Sequence, residues 1–322
     1  MKNIINLSIF LIFSASAPSV FAQTPRINFT APLLYPEGIA YHPKNQLIYV
    51  SSVKYGMIGT IDQQGNYKEF YTDKNLISSF GMKVDEKANV LWVCLADPNA
   101  NYSIYSSPAT LKKMARVISV DLTTGKKKMD IDLSKLYAGK HFINDLTIDD
   151  MGNLYLTDSF SPVIYKVDAK GKSSVFAENK LFKSEDIGLN GIAYQSGMLI
   201  TVNNGTGAIL RVDINNPKMV DMVKIDQLFP GADGLLFEKG ELVLVQNKGV
   251  NKVYRIKSND NWRSAKLTGA TAGDDRFAQP STQVSINGVI WALNSKLNEL
   301  SNPTMPPSME FSVQKAEFRP VE

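Results

Sequence analysis

Four oxygen-bearing side chains stand at the same phase of an internal repeat. Glu37 belongs to PEGIAY, Asn144 to INDLTID, Asn190 to LNGIAY and Asp233 to GADGLLF. Each leads a short apolar, β-prone run. Two carboxylates and two carboxamide oxygens are the ligand set of a hard divalent cation, Ca²⁺ above all. Two negative charges would balance such an ion, and without it they would repel at a partly desolvated site. Zinc is disfavoured, because His42 and His141 are the only histidines and Cys94, the one cysteine, lies inside the apolar run VLWVCLA. For any single position turn capping is the alternative, and Asn204 and Asn247, at the ends of other runs, read as caps. The second copy carries Phe80 at this phase, so the repeat itself does not demand oxygen there.

The elements that must position these residues are short strands separated by Gly, Asn, Asp and Lys turns, with no helical stripe of more than a few turns. The lead positions recur roughly every 45 residues, with one longer interval between Phe80 and Asn144, and a weaker sixth copy opens at Ser281. In every copy a second strand follows (QLIYVSS, VLWVCLAD, NLYLTDS, MLITVNN, ELVLVQN, VIWALNS) and then a third, while a fourth shows in several, such as YKEFYT and SSVFAE. Four-stranded units of about 40–50 residues predict propeller blades. The expected fold is all-β: a six-bladed β-propeller with four-stranded antiparallel blades. The last unit lacks an outer strand, and Arg26–Thr30 (RINFT) is placed to supply it and close the ring, which protects an open edge. In a propeller the lead positions converge at one mouth of the central channel, which would bring Glu37, Asn144, Asn190 and Asp233 together.

The 322-residue chain is 44% hydrophobic and 20% charged, with a formal charge of +4. That composition supports a large core and shows no basic block, which argues against nucleic acid or an anionic membrane as partner. Lys2, the apolar stretch from Ile4 to Phe13 and Val20-Phe21-Ala22 read as a cleaved signal peptide over residues 1–22. Residues 23–322 then form a single domain, exported to a periplasm or secreted, with no membrane attachment after cleavage. A single cysteine permits no internal disulfide, so stability must come from burial.

At PEGIAY, INDLTID, LNGIAY and GADGLLF the chain resembles the gluconolactonase and regucalcin family of six-bladed propellers, which includes paraoxonase-like and diisopropylfluorophosphatase-like enzymes. The resemblance implies a catalytic divalent metal, usually Ca²⁺, held by Glu37, Asn190 and Asp233, with Asn144 as fourth ligand or substrate contact and Asp145 as its usual neighbour. Sugar-lactonase members carry an arginine two residues before the Asn of the Asn-Asp pair. Here Phe142 stands there, which favours a more apolar substrate. The paraoxonase branch uses a histidine pair near the metal, and His141 is the residue placed to contact substrate, or else to be buried.

Two loops between second and third strands are long, from Pro98 to Ala115 with Tyr102 and Tyr105, and from Lys296 to Ser308 with Leu297, Leu300 and Met305. Both are expected on the face of the lead positions, as a partial apolar lid contacting a small-molecule substrate or as tolerated insertions. The resulting expectation is a metal-dependent hydrolase acting on a lactone or ester, with phosphotriesters as a variant. The metal would polarise a carbonyl, and Asp233 or Asp145 would position or deprotonate water. The alternative is a non-enzymatic binding propeller with a structural metal. Asn203-Asn204-Gly205-Thr206-Gly207 precedes no helix and is a poor phosphate cradle.

Overall fold

The computed structural model describes residues 25–273, 277–302 and 304–321. The expected signal peptide lies outside the described residues. Among the described residues twenty-five strands form six sheets. After β1 (Arg26–Thr30), blade 1 comprises β2 (Ile39–His42), β3 (Leu47–Ser51), β4 (Ile58–Ile61) and β5 (Tyr67–Tyr71). Blade 2 comprises β6 (Ser78–Asp85), β7 (Val90–Ala96), β8 (Ala115–Asp121) and β9 (Lys127–Asp132), and blade 3 comprises β10 (Ile143–Ile148), β11 (Leu154–Asp158), β12 (Val163–Val167) and β13 (Ser173–Glu178). Blade 4 is β14 (Leu189–Gln195), β15 (Met198–Asn203), β16 (Ile209–Asp213) and β17 (Asn216–Met222). Blade 5 is β18 (Ala232–Glu238), β19 (Glu241–Gln246), β20 (Lys252–Lys257) and β21 (Lys266–Thr271), and blade 6 holds β22 (Pro280–Ile286), β23 (Val289–Asn294) and β24 (Glu310–Lys315). All pairings within the blades are antiparallel.

The turn chemistry explains the hairpins. The pattern Asp-x-x-Gly occurs at Asp62, Asp149 and Asp168. In each case the aspartate accepts the backbone N–H groups two and four residues on, as Asp149 Oδ1 does from Met151 and Asn153. The glycine then takes the left-handed conformation, with φ +82° at Gly152.

The core lies between neighbouring blades. Successive strand residues point to opposite faces, and both faces of a blade are covered, so the second strands are mostly apolar and buried along most of their length. In β15, Leu199 packs toward blade 3 with Tyr155 and Ile164, while Ile200 and Val202 pack toward blade 5 with Leu235 and Leu244. Each such side chain removed from water is worth about 1.5–3 kcal/mol. Cys94 is one of these buried residues and is a free thiol.

The N-terminal strand closes the ring as expected. β1 pairs with β24 from Arg26 opposite Gln314 to Thr30 opposite Glu310. Phe29 is buried there against Phe311, with ring centroids 6.1 Å apart. The C-terminal end does something the repeat pattern does not announce. β25 (Phe318–Pro320) pairs with β21, making blade 5 five-stranded, and Arg255 stacks 4.4 Å from the Phe318 ring centroid. Among the described residues no helix is long and apolar enough to cross a membrane.

Candidate metal centre

The lead residues sit in β-bulges. Pairing between first and second strands shifts between Ser79 and Met82, Ile143 and Leu146, Leu189 and Ile192, Ala232 and Leu235, and Pro280 and Gln283. The two residues inside each shift are released from the ladder and re-aimed. In three blades they are Asn144-Asp145, Asn190-Gly191 and Asp233-Gly234. Blade 1 achieves the same with Glu37 and Gly38 just ahead of β2, where Ser51 Oγ accepts from both backbone N–H groups, at 3.2 and 2.7 Å. Second-strand hydroxyls hold the bulges of blades 3 and 4. Thr157 Oγ1 accepts from Asp145 N and donates to Asn190 O, and Thr201 Oγ1 donates to Gly191 O. Ser281 Oγ donates to Glu37 O at 2.7 Å and ties blade 6 to blade 1.

The glycines let the bulges touch around the ring. A Cβ on Gly38 would stand 2.0 Å from Phe80 O of the next blade, and one on Gly191 would stand 2.1 Å from Asp233 O. Blade 3 has Asp145 at this position. Its Oδ1 accepts from Leu146 N at 2.8 Å and its Oδ2 from Ile192 N at 3.3 Å.

The result is one narrow cavity lined by Glu37, Gly81, Asn144, Asp145, Asn190, Asp233, Gly234 and Thr282. All four residues expected to hold a cation therefore meet, although they come from four blades. Glu37 Oε2, Asn144 Oδ1 and Asn190 Oδ1 are buried and have no hydrogen-bond partner among the described residues. Three orphaned oxygens on one cavity are costly unless something electropositive satisfies them. The donor set is all oxygen, which fits a hard cation. Among the described residues no group of three or more His, Cys, Asp or Glu side chains is arranged as a metal cluster, so the set depends on its two amide oxygens.

Electrostatics point the same way. Burial pushes the Glu37 carboxyl well above its ordinary range, and Asp233 and Asp145 push it further. Asp233 is raised by burial and then by Asp145, against the opposing amides of Asn247 and Asn190. Asp145 is raised by burial, offset by Lys83 and by the N–H groups of Leu146 and Ile192. A divalent cation would reverse this preference for the neutral acids.

The side chains expected around the mouth divide. Tyr102 is half-buried, packs with Leu297 and Leu300 against the core, and hydrogen-bonds Ser301. Its phenol is raised by burial and then by Asp186, Asp233 and Glu37, whose charges it faces. The two long loops thus meet over the mouth. The second is braced by Glu299, which accepts from Tyr35 Oη, Ser308 N and Ser308 Oγ. Tyr105 is instead 38% exposed, on a segment drawn toward blade 1 by Ser103 Oγ, which donates to Ile77 O. Phe142 is buried between Phe80 and Phe160, with centroids 4.7 and 5.5 Å away. It builds the wall of the mouth from within and does not line it as a free face.

His141 is 2% exposed and pairs through Nδ1 with Asp158 Oδ2 at 2.8 Å. Asp158 Oδ1 accepts from the backbone of Phe142, Phe160 and Ser161. His141 is therefore a brace behind Phe142, the buried reading of the two. Burial alone would lower its pKa, but the Asp158 carboxylate, with the backbone of Ser134 and Tyr137, outweighs that and raises it. A raised imidazolium adds stability that is complete below its unfolded value of about 6.5 and is lost as pH rises through the folded value. With calcium present throughout, His141→Gln should cost about 1–3 kcal/mol at pH 6, and the gap in Tm to wild type should narrow toward pH 8.5. A gap that widens would show that the imidazole is held neutral.

Asn247 is the site residue that sequence reasoning misplaced. It is not a turn cap, because its Nδ2 donates a short hydrogen bond to Asp233 Oδ2. Asn204, at the equivalent strand end of blade 4, does bond backbone, donating to Ala232 O. The two look alike in sequence, and only the aspartate opposite Asn247 separates them.

No protein-family model and no curated protein matches the chain. Solved structures do. The allergen Mala s 1 of Malassezia sympodialis superposes with a TM-score of 0.72 at 19% identity, over 91% of this chain and 96% of that one. A catalytically inactive virginiamycin B lyase from Staphylococcus aureus with quinupristin gives 0.62 at 15%, over 92% and 99%. A luciferin-regenerating enzyme gives 0.60 at 13%, over 92% and 99%. The shared feature is the six-bladed propeller. At these identities the likeness is one of fold.

Proposed function

We propose that this protein is a metal-dependent hydrolase of lactones or esters, with Ca²⁺ held by Glu37, Asn144, Asn190 and Asp233. The observation that carries the reading is the set of three orphaned buried oxygens facing one cavity beside Asp233. Solved enzymes with the same propeller, a lyase and a luciferin-regenerating enzyme among them, are consistent with an enzyme but do not choose the reaction. The sequence resemblance favours hydrolysis, and the expected leader favours an exported protein.

Bound there, the cation would neutralise the carboxylates and act as a Lewis acid toward a carbonyl oxygen. The protein's own groups do the rest. Asn247 fixes the rotamer of Asp233. Asp145 has both oxygens committed to backbone N–H groups, so it serves as a fixed charge in the wall. Asp233 is then the carboxylate left to orient water and accept its proton. Tyr102, Leu297 and Leu300 exclude bulk water and bind the apolar part of the substrate.

A panel of lactones and esters with and without chelator tests this. Turnover should need the cation and fall at least 100-fold in Glu37→Gln and in Asp233→Asn. Cation binding without turnover of any substrate would instead establish a binding propeller with a structural ion.

A further inference from the structure

We infer that the substrate carries an anionic group and that Lys112 receives it at the rim of the mouth. This rests on the hydrolase reading above and specifies its substrate class. The first loop ends in an unusual turn. Lys112 has φ +58°, the left-handed region that an ordinary side chain rarely adopts. Both of its backbone groups are pinned. Its N–H donates to Asp97 O at 2.7 Å and its carbonyl accepts from His141 N at 2.9 Å. Asp97 is itself buried and braced by Ser106 and Thr110. The conformation costs about 1 kcal/mol or more, so the surrounding bonds hold it against its own preference.

This turn sets the Lys112 ammonium 5.7 Å from the ring centroid of Phe160. Phe160 packs on Phe142, which packs on Phe80, the neighbour of Gly81 in the cavity wall. An aromatic ridge of Phe80, Phe142 and Phe160 thus runs outward from the cavity to a cation, and its outer member Phe160 is only partly buried. Lys112 is exposed and, like most lysines of the chain, forms no ion pair among the described residues. Around a mouth holding three buried carboxylates, a positive charge over the outer end of an apolar surface fits an acyl compound with a reactive carbonyl at one end and an anionic terminus at the other. A neutral substrate would gain nothing from it.

The probes are methyl hydrogen adipate and its uncharged partner dimethyl adipate, with adipic acid monoamide and adipamide as unreactive counterparts for calorimetry on the calcium-loaded protein. Lys112→Asn keeps a residue tolerant of the left-handed turn, and Lys112→Glu reverses the charge. Both variants should raise KM and Kd for the anionic probes, about tenfold for Lys112→Glu at low salt and less at high salt, with the neutral probes unchanged. Equal effects on charged and neutral probes, or none, would overturn the inference while leaving calcium-dependent turnover as support for the hydrolase. Monoamide binding that depends on Lys112 in a protein with no turnover would keep this site and remove the hydrolase. If Lys112→Glu lowers Tm, Lys112→Asn at unchanged Tm decides.

Discussion

Asp233→Asn and Glu37→Gln should each raise the Tm of the calcium-free protein at pH 8 and abolish the further rise that calcium produces in wild type. The reasoning is one of linkage. In the cation-free protein burial and mutual repulsion raise both carboxyls. A carboxyl raised on folding leaves stability intact below its unfolded value near 4 and removes it as pH climbs through the folded value. Calcium-free wild type should therefore lose stability progressively as pH rises above about 4 toward the raised folded values, and neutral amides at these positions relieve the cost. Calcium at a hundred times its Kd restores about 2.7 kcal/mol to wild type. In a variant lacking one of two charged ligands the affinity should drop at least 100-fold, so that the same calcium concentration adds only a few tenths of a kcal/mol. Differential scanning fluorimetry over this pH range, with chelator and with excess calcium, reads all four combinations. Variants that are merely less stable than wild type in chelator, with calcium inert in all of them, would show that the four oxygens are not a cation site.

The second large effect concerns the inner ring. Gly38→Ala and Gly191→Ala should each cost more than about 3 kcal/mol, a fall in Tm on the order of 10 °C. The added methyl would stand 2.0–2.1 Å from a carbonyl oxygen of the next blade's bulge. That oxygen belongs to backbone, and it can yield only if two blades part. Overpacking a well-filled core ordinarily costs 1–3 kcal/mol, and here the displaced segments also carry Glu37, Asn190 and Asp233. Calcium affinity should fall together with stability. Gly273→Ala provides the control, since nothing among the described residues lies within 4 Å of its Cβ position, and it should be neutral within about 0.5 kcal/mol. If Gly191→Ala also proves neutral by chemical denaturation, the bulges do not touch as closely as described.

Both predictions depend on residues that were readable to very different degrees. Glu37, Asn144, Asn190 and Asp233 can be picked out because each precedes an apolar strand at the same phase, and phase within a repeat becomes position around an axis once blades close into a ring. The six blades and the closing strand Arg26–Thr30 follow from the same local periodicity. Strand pattern and turn chemistry are near-neighbour properties, and a sequence displays them directly.

What required the folded molecule were contacts between segments whose spacing carries no period. Asn247 reaches Asp233 across a hairpin, Phe142 is enclosed by Phe80 and Phe160, His141 braces Asp158, Tyr105 turns away from the mouth while Tyr102 meets Ser301, and Phe318–Pro320 joins blade 5. Each is settled by which way a side chain or short strand turns when two separate surfaces pack. Asn247 and Asn204 show the reason most plainly. They are the same residue at the same strand end, and one holds a site carboxylate while the other holds a backbone carbonyl, because the hydrogen-bond partner is chosen by the opposing surface.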